Sequence, residues 1–288
     1  MTSLGAALDP AGRPRKPGLL CIGAQKAGTS WLAQMLDQHP GAWIPPLKEV
    51  QYFNHRFMPQ HRRWIAWHYR QKPQEIRERH ARRGLAMPTD LDAYLTGLTR
   101  GKMFHNHWYK RVFAPAPADA LPVDVTPEYS TIPAEGVDYV ARFLPRARIV
   151  YLIRHPVDRA VSQLRMNLQR EDRRPETLAD WMREIDDPVL HERGDYATYL
   201  PRWQARYPDM LVLPFGLIAR DPAGVLRRIE AFCGLAPHDY QEPGTRVFAN
   251  PDPLPVPEEA LAALALRLEP QVRFIARTLG AEFLSLTR

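Results

Sequence analysis

Short apolar runs alternate along this chain with segments whose apolar positions recur every three or four residues. The clearest runs are residues 19–22, 149–153 and 210–213, and polar residues, Gly or Pro bound each of them. Continuous apolar runs of this length are typical of strands covered on both faces. Alternation of such strands with helices predicts an α/β fold with a central, mostly parallel sheet and helices on both faces.

The first run leads directly into a glycine-bracketed turn and then a helix. Gly23 and Gly28 enclose the turn, Lys26 lies within it, and the helix begins at Thr29. Backbone N–H groups at a helix N-terminus, aided by the helix dipole, bind anions and above all phosphate. The sequence therefore predicts a phosphate-binding loop, although a solvated lysine between incidental glycines is an alternative for any lone motif of this kind.

The order of residues in this loop differs from that of an ATP- or GTP-binding loop. In those loops a lysine directly follows the last glycine, whereas here Thr29 has that position and Lys26 precedes Gly28. A P-loop-type kinase would also need an acidic Mg²⁺ ligand at a strand end, for which Asp124 is the best candidate.

A second anion site is predicted where the β-branched run 148–154 ends. Arg154 ends this strand, and Pro156 is well placed to begin the next helix because a missing N–H costs nothing there. Ser162 follows about two turns into that helix. Arginine supplies a planar fork of donors and serine a hydroxyl, so we expect Arg154 and Ser162 to converge on one phosphate.

A charged pair stands between two prolines and two aromatic residues in segment 45–54. The prolines predict a stiff, extended approach to the pair. Taken alone, Lys48 and Glu49 are most simply a solvated ion pair in a loop.

Together these motifs resemble sulfotransferases that use 3′-phosphoadenosine 5′-phosphosulfate (PAPS), of the heparan-sulfate type and the bacterial sulfotransferase domain. Residues 26–31 (Lys-Ala-Gly-Thr-Ser-Trp) resemble the family's 5′-phosphosulfate loop, and residues 154–162 resemble its 3′-phosphate site. Residues 49–53 (Glu-Val-Gln-Tyr-Phe) resemble the segment that contains the family's general base. The resemblance covers residues 19–54 and 121–235.

The resemblance implies a P-loop-like three-layer fold and transfer of a sulfuryl group from PAPS to a hydroxyl or amine, leaving adenosine 3′,5′-bisphosphate. It implies that Glu49 is the general base, that Lys26 stabilises the leaving phosphate, and that no metal is required. The implied cofactor-binding residues are Lys26, Ala27, Gly28, Thr29, Ser30, Trp31, Arg154 and Ser162.

One loop departs from the family pattern. Segment 122–130 predicts a strand that ends in a turn, and the family often has lysine where this chain has Val125. Thr126 is a candidate to hydrogen-bond near the reacting groups, but a strand end with a threonine turn explains the same pattern. Candidates for the family's nucleotide-closing C-terminal loop are Gly244, Thr245, Arg246 and Asn250.

The remaining segments suggest how the chain is divided. Residues 1–17, rich in Gly, Pro and basic residues, predict a flexible arm. Residues 18–288 are expected to form a single sulfotransferase domain in which residues 55–120 are an insertion that shapes the acceptor site.

Two features of that insertion leave alternatives open. Basic and aromatic side chains alternate in residues 61–70, a combination typical of surfaces that bind single-stranded nucleic acid. However, Trp64 and Trp67 also fit one helix face, which favours core packing. On a strand, His105 and His107 would share a face; since no Cys or carboxylate accompanies them at metal spacing, we expect structural or acceptor contacts rather than zinc.

The amino-acid composition further limits the class of protein and the kinds of partner that we expect. Of the 288 residues 45% are hydrophobic, enough for a sizeable core, and the net charge of +7 suits an anionic cofactor or acceptor. With two cysteines in the chain, a framework of disulfide bonds is not expected. No apolar stretch has the pattern of a secretory signal peptide or the length of a membrane-spanning helix. We therefore expect a cytoplasmic enzyme with no nucleic acid partner. Its expected acceptor carries a hydroxyl or amine, and the candidates are a glycan, a glycolipid or another small hydroxylated molecule. A non-enzymatic binder of anionic polymers is a further alternative, which leaves both phosphate sites unexplained.

Overall fold

The computed structural model describes residues 15–245 and 254–288, and a parallel sheet lies at its centre. The strands are β1 (Leu19–Gly23), β2 (Ala42–Trp43), β3 (Leu121–Val125), β4 (Arg148–Ile153) and β5 (Leu211–Pro214). Their order across the sheet is β2-β3-β1-β4-β5, and all four neighbouring pairs are parallel. The predicted α/β class is confirmed.

Helices flank this sheet, and two 3₁₀ helices (Pro59–His61 and Pro127–Thr131) occur among them. In the described residues the α-helices are α1 (Thr29–Leu36), α2 (Tyr52–Phe57), α3 (Arg62–Arg82), α4 (Thr89–Thr99), α5 (Asn106–Val112), α6 (Ala134–Phe143), α7 (Pro156–Arg170), α8 (Leu178–Ile185), α9 (Pro188–Glu192), α10 (Tyr196–Gln204), α11 (Leu217–Arg220), α12 (Pro222–Cys233), α13 (Glu258–Thr278) and α14 (Ala281–Ser285). Within the described ranges, none of these helices is both long and apolar enough to cross a bilayer.

The topology brings both predicted anion sites to one edge of the sheet. From β1 the chain moves to β2 and β3 on one side, and β4 and β5 then extend the sheet on the other side of β1. Adjacent strands whose connections run in opposite directions open a crevice at their carboxyl ends, where ligands bind in such sheets. The loops after β1 and β4 flank that crevice.

A buried carboxylate fixes the neighbouring strand end. Asp124 on β3 is fully buried and accepts hydrogen bonds from the hydroxyls of Thr126 (2.7 Å), Tyr109 (2.8 Å) and Tyr129 (3.0 Å). Burial raises the pKa of Asp124 to about 6, although these three donors oppose the rise. Its oxygens are therefore committed to the core, and Thr126 has a structural partner rather than one in the cleft.

The aromatic and basic segment is helical, as its pattern predicts, but its tryptophans are not in the core. On α3, Ile65 is buried, whereas Trp64 is 49% exposed and Trp67 60% exposed. The Trp64 ring stacks on His68 with centroids 5.1 Å apart. Core packing is therefore wrong for both tryptophans, because the apolar face of α3 is centred on Ile65 and residues one or two turns further on.

The histidine pair lies at a helix start rather than on a strand. His105 precedes α5, and its Nδ1 accepts a hydrogen bond from the Trp108 backbone N–H at 3.2 Å. The segment is therefore helical, and the alternative of a strand with His105 and His107 on one face does not apply. Satisfying an otherwise unpaired N–H of the first turn accounts for the position of His105.

Candidate active site

The loop between β1 and α1 leaves the helix N-terminus open. The first hydrogen bond of α1 runs from the Leu32 N–H to the Gly28 carbonyl at 3.0 Å, and no side chain caps the preceding N–H groups. Gly28 has φ +89°, a backbone conformation that favours glycine over residues with a Cβ. The N–H groups of residues 29–31 are therefore available to an anion, as the sequence predicts.

Lys26 adds an uncompensated positive charge to this loop. Its Nζ lies 3.7 Å from Met166 Sδ, a weak acceptor, and in the part of the chain that the structure describes it forms no salt bridge. Burial lowers the pKa of Lys26, and the positive charges of Arg170 and Arg154 lower it further. An anion in the loop would relieve both effects.

Arg154 extends from the end of β4 toward the same loop. One terminal nitrogen donates to the Lys26 carbonyl at 2.9 Å, and the guanidinium lies 4.5 Å from the centre of the Phe215 ring. Its Nε is buried without a hydrogen-bond partner, and burial lowers the pKa of the group. A buried donor without an acceptor is costly, so an anion beside this N–H would stabilise the arrangement.

Ser162 lies on the face of α7 that turns toward the phosphate loop. Met166, one helical turn further on, shares that face and contacts Lys26. Arg159 is instead buried and donates to Gln163 Oε1 at 2.6 Å, so it has a structural role. The structure thus brings Lys26, Arg154 and the Ser162 face of α7 to one crevice.

Glu49 lies next to this crevice, and its neighbour Lys48 contacts the phosphate loop. The Lys48 Nζ donates to Ser30 Oγ at 2.6 Å and lies 4.0 Å from Glu49 Oε1. Glu49 has φ +61° and Gln51 has φ +57°, a left-handed conformation that is uncommon for residues other than glycine. Such backbone conformations cluster at functional sites, where the surrounding fold holds them.

The environment makes the Glu49 carboxyl more basic than usual. Its side chain stays 41% accessible through the cleft, while loss of surrounding water raises its pKa. The charge of Lys48 opposes this rise, Glu128 adds to it, and Lys72 and Arg170 oppose it more weakly. A carboxylate whose pKa is raised toward neutrality is a better general base.

An ion-pair network, which the sequence analysis missed, joins three segments of the site. Arg193 donates to Gln25 in the phosphate loop and, at 2.6 Å, to Glu128 after β3. The same carboxylate accepts a hydrogen bond from Gln51, two residues beyond Glu49. These residues are far apart in sequence and form no motif, so only the fold reveals them.

The C-terminal segment approaches the phosphate loop from the other side. Trp31 Nε1 donates to the Pro243 carbonyl at 2.8 Å. This contact places Gly244 and Thr245 beside α1, whereas Arg246 and Asn250 lie outside the described residues.

The described residues contain no cluster of three or more His, Cys, Asp or Glu side chains that could hold a metal ion. Asp124, the candidate Mg²⁺ ligand of a kinase, has all its strong contacts inside the core. The kinase interpretation therefore lacks both the lysine and the acidic residue that it requires.

The parallel sheet, with two cationic loops at its carboxyl edge, has a P-loop-like three-layer α/β fold. Residues 17–239 match the sequence profile described as Sulfotransferase family, which is more than half of the chain. The chain therefore belongs to the Sulfotransferase family.

Curated relatives and solved structures agree with this assignment. Heparan sulfate glucosamine 3-O-sulfotransferase 6 of Mus musculus is 26% identical over 231 residues, 78% of this chain and 54% of the relative. The human bifunctional heparan sulfate N-deacetylase/N-sulfotransferase 3 is 24% identical over 249 residues, 79% of this chain and 23% of the relative. The chain thus spans about half the length of the first relative and less of the second. A crystal structure of a sulfotransferase from Alicyclobacillus acidocaldarius superposes with a TM-score of 0.65 at 22% identity, covering 91% of this chain and 95% of that one, and shows the same fold.

Proposed function

We propose that the protein transfers a sulfuryl group from PAPS to a hydroxyl or amine of an acceptor, most simply a carbohydrate hydroxyl. The observation that supports this most directly is that Lys26 and Arg154, which form no salt bridge within the described residues, lie at neighbouring strand ends beside the accessible carboxyl of Glu49. Family membership supports the same class of reaction.

The residues of the crevice fit a donor with two anionic groups. Lys26 and the N–H groups of residues 29–31 would hold the 5′ end, while Arg154 and Ser162 would hold the 3′-phosphate. The Ala27 N–H does not take part, because it donates to the Ala24 carbonyl at 3.0 Å. The orphaned Nε of Arg154 and the open α1 N-terminus are the observations behind this fit. When bound, PAPS supplies a sulfuryl group, whose bond to the acceptor oxygen forms as its bond to the 5′-phosphate oxygen breaks and leaves the electron pair there.

Two side chains then perform complementary work. Glu49 takes the proton of the acceptor hydroxyl on its carboxylate, and its raised pKa suits it to this task. Lys26 places positive charge where negative charge grows on the leaving phosphate oxygen. The Lys26 backbone is held in advance, because Arg154 donates to the Lys26 carbonyl at 2.9 Å.

The insertion supplies the features expected of a carbohydrate site. His68 on α3 is close enough to Glu128 and Arg170 for their charges to affect its pKa. The exposed rings of Trp64 and Trp67 on the same helix offer flat surfaces of the kind that pack against sugar rings. The relatives named for heparan sulfate also favour a glycan acceptor.

Calorimetric titration with adenosine 3′,5′-bisphosphate tests the donor site. We expect the bisphosphate to bind the wild-type protein much more tightly than ADP does, because only the bisphosphate places a phosphate at Arg154. Replacing Arg154 with alanine removes a charge-assisted contact and is expected to weaken bisphosphate binding about 10- to 100-fold.

Arg148→Ala is the matched control for this titration. Arg148 lies at the opposite end of β4, and its guanidinium stacks over Phe232 at 5.2 Å as Arg154 does over Phe215. The control should bind the bisphosphate like the wild type. Equal affinity for ADP and the bisphosphate, or no binding of either, would contradict the proposed function.

A further inference from the structure

Lys48 has contacts that join the phosphate loop to the proposed base. Its ammonium group donates to Ser30 Oγ at 2.6 Å, and the same nitrogen lies 4.0 Å from Glu49 Oε1. Ser30 belongs to the first turn of α1, where the donor's phosphate is expected. The Lys48 nitrogen therefore stands between the side of the leaving group and the side of the attacking oxygen.

The position of Lys48 is costly unless an anion shares it. About a third of the side chain is accessible, and burial lowers the pKa of its ammonium group. Glu49 opposes this effect, but at 4.0 Å that carboxylate is a distant partner rather than a direct hydrogen bond. A cation held by one neutral hydroxyl, with two further N–H donors to spare, is suited to an incoming oxyanion.

The neighbouring strand cannot provide this charge. Val125, which ends β3, is 2% exposed and packed in the core. The neighbouring Asp124 accepts hydrogen bonds from three hydroxyl groups inside the core. Lys48, in contrast, enters the crevice from the loop before α2 and directly contacts the phosphate loop at Ser30.

We propose that Lys48 is a catalytic residue, whose ammonium group binds the transferring sulfuryl group and the adjoining phosphate oxygen. This inference rests on the proposed function. Lys48 keeps its proton throughout, since the acceptor's proton goes to Glu49 and the electron pair of the broken bond stays on the phosphate oxygen. Its contribution is positive charge aimed at oxygens that become more negative in the transition state.

The test compares Lys48→Ala with Lys72→Ala as a matched control. Both lysines act on the charge of Glu49, but Lys72 is paired with Glu75 at 2.9 Å and does not touch the phosphate loop. Each variant is titrated with adenosine 3′,5′-bisphosphate and assayed for sulfuryl transfer from PAPS to desulfated heparan sulfate and to water. Lys48→Arg and Lys48→Met are included, the first to restore the charge and the second to retain the apolar stem should alanine impair folding.

Lys48→Ala is expected to weaken bisphosphate binding about 10-fold and to slow both transfer reactions about 100- to 1,000-fold. Lys48→Met should match it, Lys48→Arg should recover part of the rate, and Lys72→Ala should stay within about threefold of wild type in binding and hydrolysis. If Lys48→Ala behaves like Lys72→Ala while the wild type binds and turns over, the role of Lys48 is wrong and the proposed function stands. If the wild type binds no bisphosphate, both are overturned.

Discussion

Replacing Glu49 with glutamine is expected to lower turnover about 100- to 10,000-fold, the range for loss of a general base. Affinity for adenosine 3′,5′-bisphosphate should remain close to wild type, because Glu49 contacts the donor side only through Lys48. Glutamine keeps the size of the side chain and its hydrogen-bonding capacity but cannot take a proton at neutral pH. Steady-state kinetics with PAPS and desulfated heparan sulfate, together with calorimetry, separate the two effects.

Glu75→Gln serves as the control for this substitution. Glu75 is also a carboxylate beside the crevice, but it pairs with Lys72 on α3. Its replacement should leave turnover within a few-fold of wild type. A Glu49→Gln protein that turns over at nearly the wild-type rate would show that another group takes the proton.

The pH dependence of turnover should report the environment of Glu49. The base works only when ionised, so turnover should fall as the pH drops through the pKa of Glu49. Because burial and Glu128 raise that pKa, outweighing Lys48, Lys72 and Arg170, the acidic limb should lie above the usual value of 4.5 for glutamate. A profile that is flat down to that pH would contradict the assignment.

The sequence predicted the local units of the donor site because each is contained in one strand–loop–helix segment. The loop around Lys26 and the end of β4 at Arg154 follow from apolar runs, glycine spacing and helix starts, all of which act over a few residues. That these two loops meet follows in part from the rule for carboxyl ends of parallel strands. The strand order places β1 beside β4 and so confirms their proximity.

The missed residues depend on contacts between distant segments. From the sequence, Lys48 and Glu49 are most simply a solvated ion pair. The fold shows that Lys48 also donates to the hydroxyl of Ser30, eighteen residues earlier. Arg193 and Glu128 are sixty-five positions apart in the sequence. They come into contact because the chain turns after α9 toward the loop that follows β3. No periodicity or local propensity encodes such a pair.

The prediction that the tryptophans of α3 pack in the core was wrong for a different reason. Interleaved apolar and basic residues fit more than one helix face, and a shift of one or two residues decides which face is buried. Tertiary packing selected Ile65 and left Trp64 and Trp67 in solvent. Helical periodicity therefore predicted the element but not its orientation.

Lys26→Met is expected to reduce turnover about 100- to 1,000-fold, which is the usual effect of removing a preorganised group that stabilises a developing oxyanion. Bisphosphate affinity should fall less, about 10-fold, because the interaction strengthens as negative charge grows on the leaving oxygen. Methionine retains the unbranched stem beside Met166, so the change removes the charge with little loss of packing.

The backbone at Lys26 determines how this variant is to be interpreted. The residue has φ +70° and its carbonyl accepts from Arg154, so the loop's shape does not depend on the ammonium group. Lys26→Met should accordingly melt at nearly the wild-type temperature, whereas a purely structural lysine would lower stability and activity together. Lys26→Arg should recover little, since a planar fork cannot reproduce a compact charge inside a tight turn. Turnover near wild type in Lys26→Met would remove the phosphate loop from the mechanism, while equal losses in binding and rate would make Lys26 a binding residue alone.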